Sequence, residues 1–167
     1  YEQLSRDIGE RHKELDCLYG LSRLVDRYKT LNPIYKRIPA LIQRSWQYPD
    51  ITNVRLEVQG EEYKTPKFRR SRYVQSAPIL INGKQDGVLE VYYRKKMPKQ
   101  DEGPFLKEER KLLDAFCERL GRIIERNQHA DAREKLNKEL DTFNQQLQAS
   151  DQQLRALNQQ LEAQNQQ

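Results

Sequence analysis

From Gln145 the chain repeats every seven residues: Gln145-Gln-Leu-Gln-Ala-Ser-Asp151, Gln152-Gln-Leu-Arg-Ala-Leu-Asn158 and Gln159-Gln-Leu-Glu-Ala-Gln-Asn165. A seven-residue period without slips returns apolar residues to one helix face every two turns, the pattern of helices that pair side by side. Leu140, Leu147, Leu154 and Leu161 hold one seam position, and Leu136, Phe143, Ser150, Leu157 and Gln164 hold the other. The remaining faces are mostly Gln and Asn, so a partner helix can be held only by this narrow stripe. Ser150 and Gln164 weaken the seam while limiting register and oligomer state. A disordered Gln/Asn-rich tail is the alternative, opposed by the strict heptads and by the absence of Gly and Pro from Asp131 onward. So short a seam is marginal alone, so its pairing is expected to depend on the domain before it.

The rest of the chain is of another kind. A mean hydropathy of -1.03 looks too polar for a compact globule, but that average joins two unlike parts. The stretch before Asp131 carries the Pro, Gly, Tyr and β-branched residues that a folded α/β core and its turns need. It is long enough to bury roughly two-thirds of its unfolded surface. Of the net charge of +5, the tail supplies none: Arg133, Lys135, Lys138 and Arg155 face six acidic residues there, so the globule is the basic part. No stretch approaches the roughly 20 apolar residues of a membrane span, and no signal pattern opens the chain. Cys17 and Cys117 lack metal or redox spacing, which favours a reducing, cytoplasmic compartment and two small apolar helix residues. The chain opens on Tyr1 and stops inside a repeat, leading to the expectation of a piece of a longer receptor.

Three parts are expected: a dimerisation helix over residues 1–28, a domain over 29–127 and a coiled-coil linker over 128–167. In the first helix Leu4, Ile8, Leu15, Leu18 and Val25 form one stripe, with Arg11 and Ser22 in the gaps. Cys17, Leu21, Leu24 and Tyr28 form a second. A helix with two apolar faces packs on its own domain with one and on a partner with the other. A helix over about 105–127 repeats the design, with Leu113, Cys117, Leu120 and Ile124 on one side and Leu112, Phe116 and Ile123 on the other. These two helices and their mates are expected to form a four-helix bundle in a two-fold homodimer of parallel helices.

Between them the period changes from about 3.6 to 2. A short helix over 34–44 is followed by alternating Val54, Leu56 and Val58, a turn at Gly60-Glu61, and a second strand near 62–64. Strands over 73–81 and 87–93 flank a long hairpin loop over 82–87. The fold class is α+β, an antiparallel sheet of at least four strands with helices on one face.

Four segments then carry a resemblance: Leu15-Asp-Cys-Leu-Tyr-Gly-Leu-Ser-Arg-Leu-Val25, Ser45-Trp-Gln-Tyr-Pro-Asp-Ile51, Gly87-Val-Leu-Glu-Val-Tyr-Tyr93 and Asp101-Glu-Gly-Pro-Phe-Leu-Lys-Glu-Glu-Arg110. In order and spacing they resemble a GAF-type sensor domain. The subgroup is the one found beside PAS domains in bacterial and archaeal sensor histidine kinases and sometimes diguanylate cyclases. Ile123-Ile-Glu-Arg126 is similar to the segment closing that domain. The resemblance implies an antiparallel sheet of about six strands with a ligand-side pocket, a helical dimer face, and adjacent PAS or kinase domains in a two-component protein. It names no shared ligand.

No catalytic constellation is legible. His12 and His129 have no nucleophile or carboxylate at motif spacing, and no Gly-rich phosphate loop is present. His129 is followed by Ala130-Asp131, unlike the phospho-acceptor of histidine kinases. The bilin, cyclic-nucleotide and haem sites of other GAF branches find no matching residues, so no cofactor or metal is expected, although an unidentified small molecule could bind. Candidates for its pocket are Trp46, Tyr48, Arg55, Tyr63, Phe68 and Tyr73, since concave small-molecule sites are largely aromatic and apolar. The same aromatics would serve equally as ordinary sheet core. If the 82–87 loop closes a hairpin, paired residue numbers sum to about 169, which brings Lys67, Arg69, Arg70 and Arg72 near Arg94, Lys95, Lys96 and Lys99. Such a basic patch suits an anionic ligand or an acidic or phosphorylated partner domain, or is a solvated strand end. Nucleic acid is disfavoured because no recognition helix or stacking motif accompanies the charge.

Overall fold

The computed structural model describes residues 1–166. Helix α1 (Glu2–Arg27) and helix α2 (Leu31–Ser45) lead through a 3-10 turn, Pro49–Ile51, into four strands: β1 (Thr52–Val58), β2 (Glu61–Lys64), β3 (Val74–Ile81) and β4 (Lys84–Tyr93). Helix α3 (Lys107–Asn165) follows. The chain divides into two units, Tyr1–Glu125 and Arg126–Gln167. No helix among the described residues is long and apolar enough to cross a membrane.

The sheet is antiparallel throughout, in the order β2-β1-β4-β3. Two tight turns build it. Gln59 and Gly60 join β1 to β2 with φ of 53° and 82°, and Asn82 and Gly83 join β3 to β4 with φ of 53° and 79°. Two successive left-handed residues are the two-residue hairpin turn whose twist matches that of the strands. The long loop expected over 82–87 is therefore only its first two residues, and β4 starts at Lys84. Pairs such as Val74 with Tyr92 put the register sum at 166, not about 169.

The sheet has four strands, not about six. Residues 65–73, where a further strand would have to form, are tied to the strand ends already in place. Thr65 N–H donates to Val54 O at 3.1 Å, Asn53 Nδ2 donates to Arg69 O at 3.1 Å, and Ser71 Oγ donates to Tyr93 O at 2.6 Å. Residues 94–106 hold Pro98, Gly103 and Pro104, which interrupt a ladder. They form only the isolated bridge between Glu102 and Phe105.

Strand alternation sends Val54, Leu56, Val58, Ala77, Ile79, Ile81, Leu89, Val91 and Tyr93 to one buried face. Against it lie Ile34, Ile38, Leu41 and Ile42 of α2, and Cys17 and Leu21 of α1 behind them. Each fully buried aliphatic side chain contributes roughly 1.5–3 kcal/mol. Pro33 falls in the first turn of α2, where its missing N–H costs nothing, whereas Pro39 is buried inside the helix.

Helix α3 runs beside the outer edge of β3. Arg110 Nη1 donates to Ser76 O at 2.8 Å, Gly121 lies against Leu80 O, and Glu125 Oε1 accepts the Asn82 N–H at 2.7 Å. The other edge is blunted by brevity and charge, since β2 is four residues with Glu61, Glu62 and Lys64 exposed.

The two-faced design holds for α1 and fails for α3. In α1, Cys17 and Leu21 are buried, while Leu4, Ile8, Leu15 and Val25 are 64%, 52%, 49% and 36% exposed; Leu18, expected on that open stripe, is half-buried against the core. In α3, Leu112, Leu113, Phe116, Cys117, Leu120 and Ile124 are all buried and Ile123 is half-buried. The second stripe of α3 is consumed by its own core, because sheet and helices close on it from both sides. The four-helix bundle expected from two free faces therefore has only the α1 face to offer.

Residues 126–165 of the second unit are helical, and the seam residues Leu136, Leu140, Phe143, Leu147, Leu154, Leu157 and Leu161 are all about half exposed. Ion pairs Glu134–Lys138 at 3.6 Å and Asp151–Arg155 at 3.3 Å support the helix one turn apart.

Candidate functional site

The face of the sheet turned away from the helices is built around one cation. Alternation places Arg55 on that face opposite Glu90 of β4, with Glu57 two residues on and Glu62 across the β1–β2 turn. Its Nη1 donates to Glu90 Oε1 at 2.7 Å, Nη2 to Glu62 Oε1 at 2.5 Å and also to Glu57, and Nε to Glu62 Oε1 at 3.1 Å. Arg55 is only 6% exposed although no helix covers it, because the three carboxylates and their stems do. Its hydrogen bonds to Glu62 hold the guanidinium protonated and pull the Glu62 carboxyl below its ordinary range. Tyr92 next to it donates to Glu90, and burial foremost pushes its phenol up to about 12.

The six pocket candidates do not converge. Trp46 is fully buried, with Nε1 donating to Gln75 Oε1 at 3.2 Å. Tyr48 meets Tyr93 edge-on at 5.4 Å, and Tyr93 stacks on Phe105 at 4.6 Å. Tyr63 leans on Tyr35 of α2 at 5.6 Å and donates its hydroxyl to Asn32 at 3.0 Å. These three belong to the helix side. Arg55 belongs to the other face, as does Phe68, whose ring meets Tyr92 edge-on at 5.4 Å. The half-buried Tyr73 has the Arg72 guanidinium over its ring at 5.3 Å. The sheet separates the set: Trp46 is core, and Tyr48, Tyr63 and Tyr73 are half-buried against it.

The basic residues fare differently. Tyr93 N–H donates to Tyr73 O at 3.0 Å and Arg94 N–H to Ile51 O at 2.9 Å, so Arg72 and Arg94 flank the same strand end. Asn53, paired with Tyr92, holds Arg69 at that end too. Lys95, Lys96 and Lys99 follow Arg94 without regular structure, and Lys67 turns the chain with φ of 56°. All eight are exposed.

Sequence reasoning missed Glu109, a carboxylate only 6% exposed at the start of α3. Its Oε1 accepts the Leu106 N–H at 2.9 Å, and its Oε2 accepts the Gln47 N–H at 2.9 Å and the Tyr93 hydroxyl at 3.2 Å. Glu at the third helical position, reaching back to the residue before the helix, is half of a capping box and the signal that could have found it. Burial pushes its pKa up, against those three hydrogen bonds. With Glu10, Lys13 and Glu108 it lines a half-open depression of about 50 Å3, small for an organic ligand. None of the six candidates above lines it. Cys17 and Cys117 are buried thiols pushed up to about 11 and about 12 by that burial, which disfavours thiolate chemistry. Among the described residues no three His, Cys, Asp or Glu are grouped to hold a metal ion.

No protein-family model, curated protein or solved structure matches the chain.

Proposed function

We propose that this chain is a sensory and dimerisation module of GAF type in a multidomain signalling protein, a sensor histidine kinase in the first instance. In this reading it performs no chemistry of its own. Two copies pair through parallel helices, and a binding event on the sheet domain changes how those helices pack, passing the change to an output domain. The compartment of such a module is the cytoplasm.

The observation that carries the reading is the pair of apolar stripes without a partner. Leu4, Ile8, Leu15 and Val25 of α1 and seven residues of the tail lie at heptad positions and are exposed, while Leu18 of the α1 stripe leans on the core. A helix polar on its other faces gains stability by burying such a stripe against a like helix. The three ties of α3 to the β3 edge and the hairpin tip give a route by which a shift of the sheet reaches that helix.

Sedimentation equilibrium tests the pairing: Leu147→Asn with Leu154→Asn should turn a dimer into a monomer at concentrations where the parent chain is dimeric. A parent chain that stays monomeric up to high concentration would remove the module's proposed output. A second reading, a ligand-free spacer setting distance and orientation between neighbours, is favoured by Trp46 being core and by the other candidates lying on opposite faces of the sheet. Thermal-shift screening and native mass spectrometry separate the two, since a bound compound raises the melting temperature by mass action.

A further inference from the structure

We infer that the strand end where residues 67–72 meet Arg94 is a docking surface for an acidic segment of a partner protein, an extended run of Asp and Glu side chains. This rests on the charge and geometry of the first unit and is independent of the GAF-type reading.

Four cations lie in residues 67–72 and four in residues 94–99, with no acidic residue inside either stretch. Ion pairs hold Arg55, Lys64, Arg110, Arg122, Lys138 and Arg155 elsewhere, each beside a carboxylate of its own or a neighbouring element. Among the described residues the eight at this strand end form no ion pair. Like charges held close repel; Arg94 donates to the Asp50 carbonyl and Arg72 to the Tyr73 hydroxyl, but no carboxylate among the described residues pairs with the eight, so an anionic partner would gain by supplying the missing charge.

The arrangement is fixed rather than fluid for its first half. Asn53 holds the carbonyl of Arg69, and Ser71 Oγ bridges to Tyr93 O and accepts the Tyr73 N–H at 3.1 Å. The Arg94 N–H is held by Ile51 O. Half of the eight are arginines, whose planar guanidinium takes a carboxylate through two parallel hydrogen bonds.

Two other polyanions fit less well. Single-stranded nucleic acid needs open aromatic faces for stacking. Here the Phe68 ring is engaged by Tyr92 and by Lys64 Nζ at 5.7 Å, and the Tyr73 ring lies under Arg72. An anionic bilayer is gripped by cations together with an inserted apolar side chain. Phe68 and Met97, the large apolar residues of these stretches, and the adjacent Tyr73 are all partly buried.

The test uses the full chain and a fluorescein-labelled dodecapeptide alternating Glu and Ser, read by anisotropy at low and physiological salt. Binding that weakens with salt is expected. It should fall by at least about tenfold in the triple variant Arg69→Gln, Arg70→Gln, Arg72→Gln and likewise in Arg94→Gln, Lys95→Gln, Lys96→Gln. The tail variant Lys135→Gln, Lys138→Gln should bind like the parent, and unchanged circular dichroism would show that all variants fold. Absence of peptide binding, or indifference to both triple variants, would overturn the proposal. So would tighter binding to oligo-dT of equal length, or to phosphatidylserine–phosphatidylcholine vesicles, than to the peptide.

Discussion

Arg55 is a residue whose surroundings were half visible in the chain. Its place on β1 follows from the alternation of Val54, Leu56 and Val58, and Glu57 is its own-strand neighbour. Glu62 and Glu90 depend on register across two turns, which periodicity alone leaves open. Replacing Arg55 by Gln leaves three carboxylates facing one another and is expected to cost about 1–2 kcal/mol at neutral pH. The pH dependence has a definite sign. Glu62 is held below its ordinary 4.5 by Arg55, so that contribution is present above 4.5 and is lost as pH falls through the lowered value. Urea titrations should therefore show the deficit of the variant largest at pH 7 and narrowing below pH 4.5. A deficit that grows with acid would contradict this assignment of the ion pairs.

At the scale of elements, helix α1, the strand cores and the heptad tail could be read from the sequence because each has its own period, unbroken by tertiary contacts. The strand count could not. Six strands came from the resemblance, while the residues themselves marked four, with prolines and tied loops where others would run. The hairpin was misread for a physical reason. Lys84, Gln85 and Asp86 are polar because they are solvated at the tip of β4, and they looked like loop, although Asn82-Gly83 already contained a complete turn. The side of α3 that seemed free was likewise invisible as core, since a sequence shows that a face is apolar but not what covers it. The contact of α3 with the β3 edge gives a prediction of its own. A methyl group at Gly121 would run into Leu80 O, a backbone atom with little room to yield. Gly121→Ala should destabilise the fold by about 1–3 kcal/mol despite its better helix propensity, measured as a lower midpoint in urea.

For the whole molecule the division of labour is by burial. Every residue from His129 to Gln166 is exposed, and the buried core ends at Ile124. Deleting residues 131–167 should leave the near-ultraviolet circular dichroism and the unfolding midpoint of the core nearly unchanged while removing most concentration-dependent association, as read by analytical ultracentrifugation. A core that collapses on deletion would mean that the tail contributes to the first unit's stability.

The leucines at every seventh position of the tail have a consequence for how far paired strands could travel. Three nearly identical repeats look alike to a partner displaced by one of them, so Leu140, Leu147, Leu154 and Leu161 would be met by leucines again for most of their length. Such a displacement has a step of seven residues, about 10.5 Å along the axis. The other seam position tells one setting from the next, since Leu136, Phe143, Ser150, Leu157 and Gln164 would each exchange a like neighbour for an unlike one. A parallel pair of these tails would thus behave as a notched slide, with evenly spaced stops whose depths are set by the unlike residues of the second seam position.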